Sequence, residues 1–178
     1  MSITQFNLPA GQRAERKTLI TVAEWTEGTS TVREILGTRT EDSSIDYNAD
    51  VQTSTDIRGI TYTDVNKVQP QQDFDPFLVL GGSKLGAYLN DIRKRNALSE
   101  LSNFTMYVIT AFAGTAGAYE AEKHEGCTIT YTSIGGDASV NFPITVYYSN
   151  SAGGKGQPQT GTVDKLSDDF VFTPDVSL

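Results

Sequence analysis

At 178 residues, with 38% hydrophobic and 20% charged side chains, the chain is long enough to bury a core and too apolar to be a disordered tail. A formal net charge of -8, from 14 basic and 22 acidic side chains, argues against a protein that grips DNA, because phosphate contacts need a basic patch. The single cysteine, Cys127, excludes an internal disulfide, and no apolar run nears the roughly 20 residues that cross a bilayer. The first sixteen residues lack the apolar centre of a signal peptide, which predicts folding in the cytoplasm.

Residues 1–17 are polar, with Pro9 and Gly11, and read as an N-terminal arm; residues 18–178 read as a single β domain. Strand patterns cover 18–25 and 32–40, joined by a Gly- and hydroxyl-rich hairpin loop. The clearest alternation runs over 44–57. Ile45, Tyr47, Ala49, Val51 and Ile57 share one parity, and Asp46, Asn48, Asp50, Gln52, Ser54 and Asp56 the other. Fourteen residues exceed an ordinary strand, so this is one strand running past its sheet or two strands broken by a bend. Residues 58–76, with Gly59, Asn66, Pro70 and Pro76, read as a long hairpin or loop.

A helix is predicted over 83–95. Ser83 is a suitable N-cap, Leu85, Tyr88, Leu89 and Ile92 form one stripe, and Arg93, Lys94 and Arg95 oppose the negative pole of the helix dipole. Residues 104–112 are apolar on both parities, as in a strand covered on two sides. Alternation over 122–133 and 140–148 gives two more strands, with a tight turn at Gly135, Gly136 and Asp137. The stretch 149–160 reads as a flexible loop and 169–173 as a last strand. Some seven strands and one helix predict a mainly β fold, a β-sandwich or partial barrel with one flanking α-helix.

Catalytic chemistry finds little support. His124 is the only histidine and reads as a surface strand residue; Cys127, three positions on, points to the opposite face of a strand and reads as a small core residue. Asp46, Asn48 and Asp50 imitate the start of a calcium loop, but Val51 and Ile57 stand where its glycine and final acid belong. Gly82, Ser83 and Lys84 lack the order of a phosphate loop. The reading is of a protein that is not an enzyme, with no cofactor and no metal.

Several segments together resemble one family. The runs LGTRTEDSSIDYNAD at 36–50, DIRGITY at 56–62 and QPQQDFDPF at 69–77 are similar to tail tube proteins of long-tailed, siphovirus-like phages and prophages of Gram-positive bacteria. So are GGSKL at 81–85, EAEKH at 120–124 and GTVDKL at 161–166. No piece is diagnostic alone; order and number carry the likeness.

The resemblance implies a virion structural protein, assembled in the host cytoplasm, whose hexameric rings stack into a tail tube that conducts DNA. Inner sheets of the subunits would complete a shared β-barrel, which satisfies their open edges. The implied partners are other copies of the chain and tape-measure, tail terminator and distal tail proteins. DNA would pass without specific binding, and a ring of six copies would carry a formal -48, six times -8. Asp46, Asp50 and Asp56 are the candidate lumen-facing acids; Arg58, Tyr62, Asp64, Lys67 and Asp73 are candidates for a loop reaching an adjacent ring. Two other readings stay open: a tube protein of a contractile tail or of an injection or secretion system, and a β-sandwich binding module, which would be a stable monomer with an exposed aromatic platform.

Overall fold

The computed structural model describes residues 6–149 and 158–176. Among them run β1 (Leu19–Glu27), β2 (Ser30–Ile35), β3 (Ile45–Asp46), β4 (Asp50–Thr55), β5 (Thr61–Lys67), β6 (Gln71–Phe74), α1 (Lys84–Arg95), β7 (Phe104–Thr115), β8 (Ala118–Tyr131), β9 (Ile144–Tyr147), β10 (Gln159–Val163) and β11 (Phe172–Pro174). The strands pair antiparallel. One sheet has the order β2-β1-β7-β8-β10-β11. A second has the order β8-β9-β6-β3.

β8 belongs to both sheets. Its residues up to Cys127 pair with β7, and Thr128 to Tyr131 pair with β9. The change falls beside Gly126, whose φ of 69° is a conformation that side chains with a Cβ avoid. Bending there folds the second sheet over the first, giving a β-sandwich with one flanking helix, the fold class that the alternation predicts.

Between the sheets lies the main core, which includes Ala23, Trp25, Phe74, Met106, Ile129 and Val146. α1 closes one side of it with Leu85, Leu89 and Ile92, and Tyr88 stacks on Trp25 at 5.6 Å between centroids. Ser83 caps the helix, its Oγ accepting from Gly86 N at 3.1 Å, and Glu34 of β2 accepts from Leu85 N at 2.6 Å. A carboxylate at that positive pole ties the helix to the sheet edge.

A polar network also joins the sheets. Gln72 of β6, buried, accepts from Thr21 of β1 and from the Tyr148 hydroxyl, at 3.1 and 2.7 Å, and donates to Ser43 at 3.0 Å.

The opposite face of the first sheet carries a smaller core of Val22, Tyr107, Ile109, Ala121, Val163 and Phe170. Segment 164–171 lies over it. Arg33 fastens that segment: its guanidinium sits 4.3 Å over the Phe170 ring, donates to Phe170 O at 2.6 Å and pairs with Glu24 at 2.5 Å. β7 is therefore covered on both faces, which is why it is apolar on both parities.

The alternating stretch 44–57 follows the second of its two readings, two strands broken by a bend: Asn48, at φ 45°, interrupts it between β3 and β4. Three expectations need correction. The stretch 58–76 is not one loop: β5 pairs with β4, whereas β6 lies inside the second sheet. The pattern at 140–148 overstates its strand, since β9 starts only at Ile144 and Val140 is exposed. Of the loop expected at 149–160, residues 150–157 lie outside the described residues, and Gln159 and Thr160 already belong to β10. As for the arm, residues 1–5 lie outside the described residues, Phe6 bridges Ala113 of β7, and Arg16 donates to the carbonyls of Leu19 and Ser43.

Candidate functional site

Among the described residues, β4 and β5 form a two-stranded hairpin with both edges unpaired, and neither strand has a substantial contact with any other element. Its register places Val51 opposite Val65, Thr53 opposite Thr63 and Thr55 opposite Thr61. Directly opposed residues in an antiparallel pair lie on the same side, so one face of the hairpin is β-branched throughout. Gln52, Asp64, Ser54 and Tyr62 make up the other face. Every residue of β5 is exposed, and so is every residue of β4 after Asp50. Val51 retains 53% of its surface and Val65 60%; Ile57 at the tip is fully exposed.

β-branched residues explain why this segment is extended. The tip explains why it turns. Gly59 takes φ 76°, its N–H bonds Asp56 O at 3.0 Å, and the Asp56 carboxylate accepts from Arg58 N, Ile60 N and Tyr62 Oη at 2.8, 3.0 and 3.2 Å. Those donors, Ile60 N first, hold the Asp56 carboxyl below its ordinary pKa.

The candidate acids do not share one strand face. Asp46 lies in β3 at the edge of the second sheet, Asp50 stands at the hairpin base opposite Lys67, and Asp56 closes the hairpin tip. Of the candidates for a reaching loop, Arg58, Tyr62, Asp64 and Lys67 fall in the hairpin. Asp73 does not: it lies in β6 and accepts from Thr145 Oγ1 at 2.7 Å. Val51, Val65, Ile57 and Ile60, which carry exposed apolar surface of the hairpin, were not among the candidate site residues, although Val51 and Ile57 stand on the apolar parity of 44–57. Their signal was the mirrored β-branched pattern on either side of Asp56, Ile57, Arg58 and Gly59, which is a hairpin signature.

No family model matches the chain, and neither does any curated protein or solved structure.

Elsewhere the surface offers less. An open groove of about 850 Å³ between the β1–β2 hairpin, α1 and segment 164–171 holds Lys84 and Asp168, which pair with each other at 3.1 Å. His124, expected on the surface, is only 5% exposed, its ring edge-on to Tyr148 at 5.0 Å and its nitrogens 3.3 Å from Glu122 Oε2 and from Ser149 O. The Cys127 thiol donates to the His124 carbonyl at 3.3 Å, not to its ring, and burial pushes the thiol up to about 11. That geometry does not make a nucleophile with its base. Among the described residues no three His, Cys, Asp or Glu side chains group as metal ligands, and no helix is long and apolar enough to cross a membrane.

Proposed function

We propose that the chain is a self-assembling structural subunit of a phage tail tube, a conduit for DNA built from stacked hexameric rings. The observation that carries this reading is the β4–β5 hairpin. An isolated two-stranded hairpin is marginal in water, and this one leaves a β-branched face and two strand edges without cover from the other described residues. Such a surface suits a chain that completes itself against other copies. Three sheet edges, β2, β3 and β11, are unpaired as well among the described residues and are templates for joining neighbouring subunits into one barrel. The β-sandwich with a flanking helix is the fold the sequence resemblance implies, and the acidic balance of -8 suits a wall along which DNA slides. Tape-measure, terminator and distal tail proteins belong to the same proposal as partners at the ends of the tube.

The test is negative-stain electron microscopy of purified protein, before and after concentration, beside a variant in which residues 50–67 are replaced by a short Gly/Ser link. Rings or hollow tubes for the parent, and monomers for the variant, are expected. A parent that stays monomeric at every concentration, including with tail-tip proteins added, would sink the tube reading and favour a monomeric binding module.

A further inference from the structure

An unpaired strand edge is a template for any other edge that it meets, and the free edges of the two sheets are not equally open to that. Among the described residues, β3 is two residues long, and β11 is three residues long and ends in Pro174, which has no N–H to give. β2, with six residues, is the long one. Its Ser30, Val32 and Glu34 stand opposite Glu27, Trp25 and Ala23 of β1, and Leu36 N donates to Thr21 O at 2.8 Å. Hydrogen-bonded positions alternate in an antiparallel pair, so Thr31, Arg33 and Ile35 turn their N–H and C=O groups away from β1. Arg33 is the middle one of the three. The edge runs along the open groove of about 850 Å³, between α1 on one wall and segment 164–171 on the other. Both walls are fastened to β2 itself: Glu34 accepts from Leu85 N at 2.6 Å, and Arg33 donates to Phe170 O at 2.6 Å. Lys84, the first residue of α1, crosses from one wall to the other. Its ammonium donates to Arg33 O at 3.3 Å and to Asp168 Oδ2 at 3.1 Å.

From this geometry we infer that Lys84 is an autoinhibitory bar across the β2 edge: it holds the edge closed in the free subunit and has to leave Arg33 O before another strand pairs there. The outward carbonyl at the centre of the edge is taken by a side chain of the same subunit. The Lys84 side chain is 51% exposed, so a strand laid along β2 would either displace the ammonium or bury it, and both are costly. The strand that the bar excludes is an edge of a second copy, so the inference rests on the tube reading. What it adds is a control on when the edge opens. An exposed ammonium with two partners is held weakly. It therefore opposes pairing by chance encounter, and yields where other contacts of an assembly hold the two edges together.

Lys84→Met keeps the stem and removes the charge, whereas Lys84→Arg keeps a cation over the edge. Thermal unfolding should move by no more than about 2 °C in either; Lys84→Gln takes the place of the Met variant if that one fails to fold. By sedimentation and light scattering, Lys84→Met should self-associate at a concentration at least about fivefold below the parent's, with Lys84→Arg at the parental value. The Arg33 amide should become protected from hydrogen exchange as Lys84→Met associates, because that N–H then bonds the added strand. A parental threshold in Lys84→Met, or association without protection at Arg33, would overturn the bar and leave the tube reading standing. A parent that never assembles overturns the tube reading, and Lys84→Met still decides the bar: association with protection at Arg33 upholds it, and a monomer at every concentration overturns it.

Discussion

Replacing Val51 and Val65 together with serine separates assembly from folding. In the monomer these opposed valines are already more than half exposed, on a hairpin that has no substantial contact with another element among the described residues. Burying a whole valine from water is worth about 1.5–3 kcal/mol, so covering the exposed half of each contributes roughly 1 kcal/mol, or about 2 kcal/mol per hairpin. That is roughly a thirtyfold change in association. The monomer should barely notice, because serine leaves the body's cores untouched. Two measurements on one preparation decide the matter: thermal unfolding at a concentration below assembly, and the critical concentration for rings or tubes by light scattering with microscopy. The expected result is an unfolding midpoint shifted by no more than about 2 °C, with the assembly threshold up by an order of magnitude or more. A clear loss of monomer stability would mean that the β-branched face packs within the chain. An unchanged threshold would mean that this face takes no part in assembly. Either result refutes the reasoning.

Three further outcomes are expected. Arg33→Ala should destabilise the body by about 2–3 kcal/mol in urea unfolding, because it leaves Glu24 partly buried without its cation and frees Phe170; Arg33→Met, which keeps the stem packing, should recover part of this. Gln72→Leu should lower stability by about 2–4 kcal/mol in the same assay, since the buried Thr21 and Tyr148 hydroxyls lose their shared acceptor. Because the folded-state pKa of Asp56 is depressed, its support of the hairpin tip is present above the ordinary carboxylate value and is lost as pH falls through the lower folded value. Amide exchange at Arg58 and Ile60, corrected for the intrinsic pH dependence, should therefore quicken below about pH 4 and be fast at all pH in Asp56→Ala, with global unfolding unmoved.

Elements whose pattern is local and whose burial is simple were legible from the sequence. The helix came out within a residue because its cap, stripe and basic end all point the same way: Ser83 accepts from Gly86 N, and Leu85, Leu89 and Ile92 are buried where the stripe put them. β7 was readable as doubly covered because two separate cores sit on its faces. His124 was misread because a polar side chain on an alternating strand looks like an outward one. Its burial depends on Tyr148 and Ser149, about 25 residues away, and local pattern carries no trace of them. β10 was hidden within a Gly- and Ser-rich stretch, with Gly161 at its centre. That glycine is needed because a Cβ there would lie 2.4 Å from Thr173 O and against the Phe172 ring, a contact that exists only once β11 has folded back.

The stretch around β4 failed differently, and the failure is informative. Within β4 the alternation specified the two faces correctly, since Val51, Thr53 and Thr55 do share a side. What alternation cannot specify is what covers an apolar side, and the usual inference, that it turns toward the chain's own core, is wrong here. Asn48 turns the chain out of the sheet, a bulge beside Asp50 resets the register, and Gly59 reverses the strand so that it pairs only with β5. Each local choice is consistent with a stable hairpin, and together they send a β-branched face into solvent. With two well-formed cores already built elsewhere in the chain, folding of the body does not depend on this face. Where consistent local signals build a surface that the monomer does not use, the missing contact is best sought in another molecule, and the unpaired strand edges beside that surface make a second copy the simplest choice.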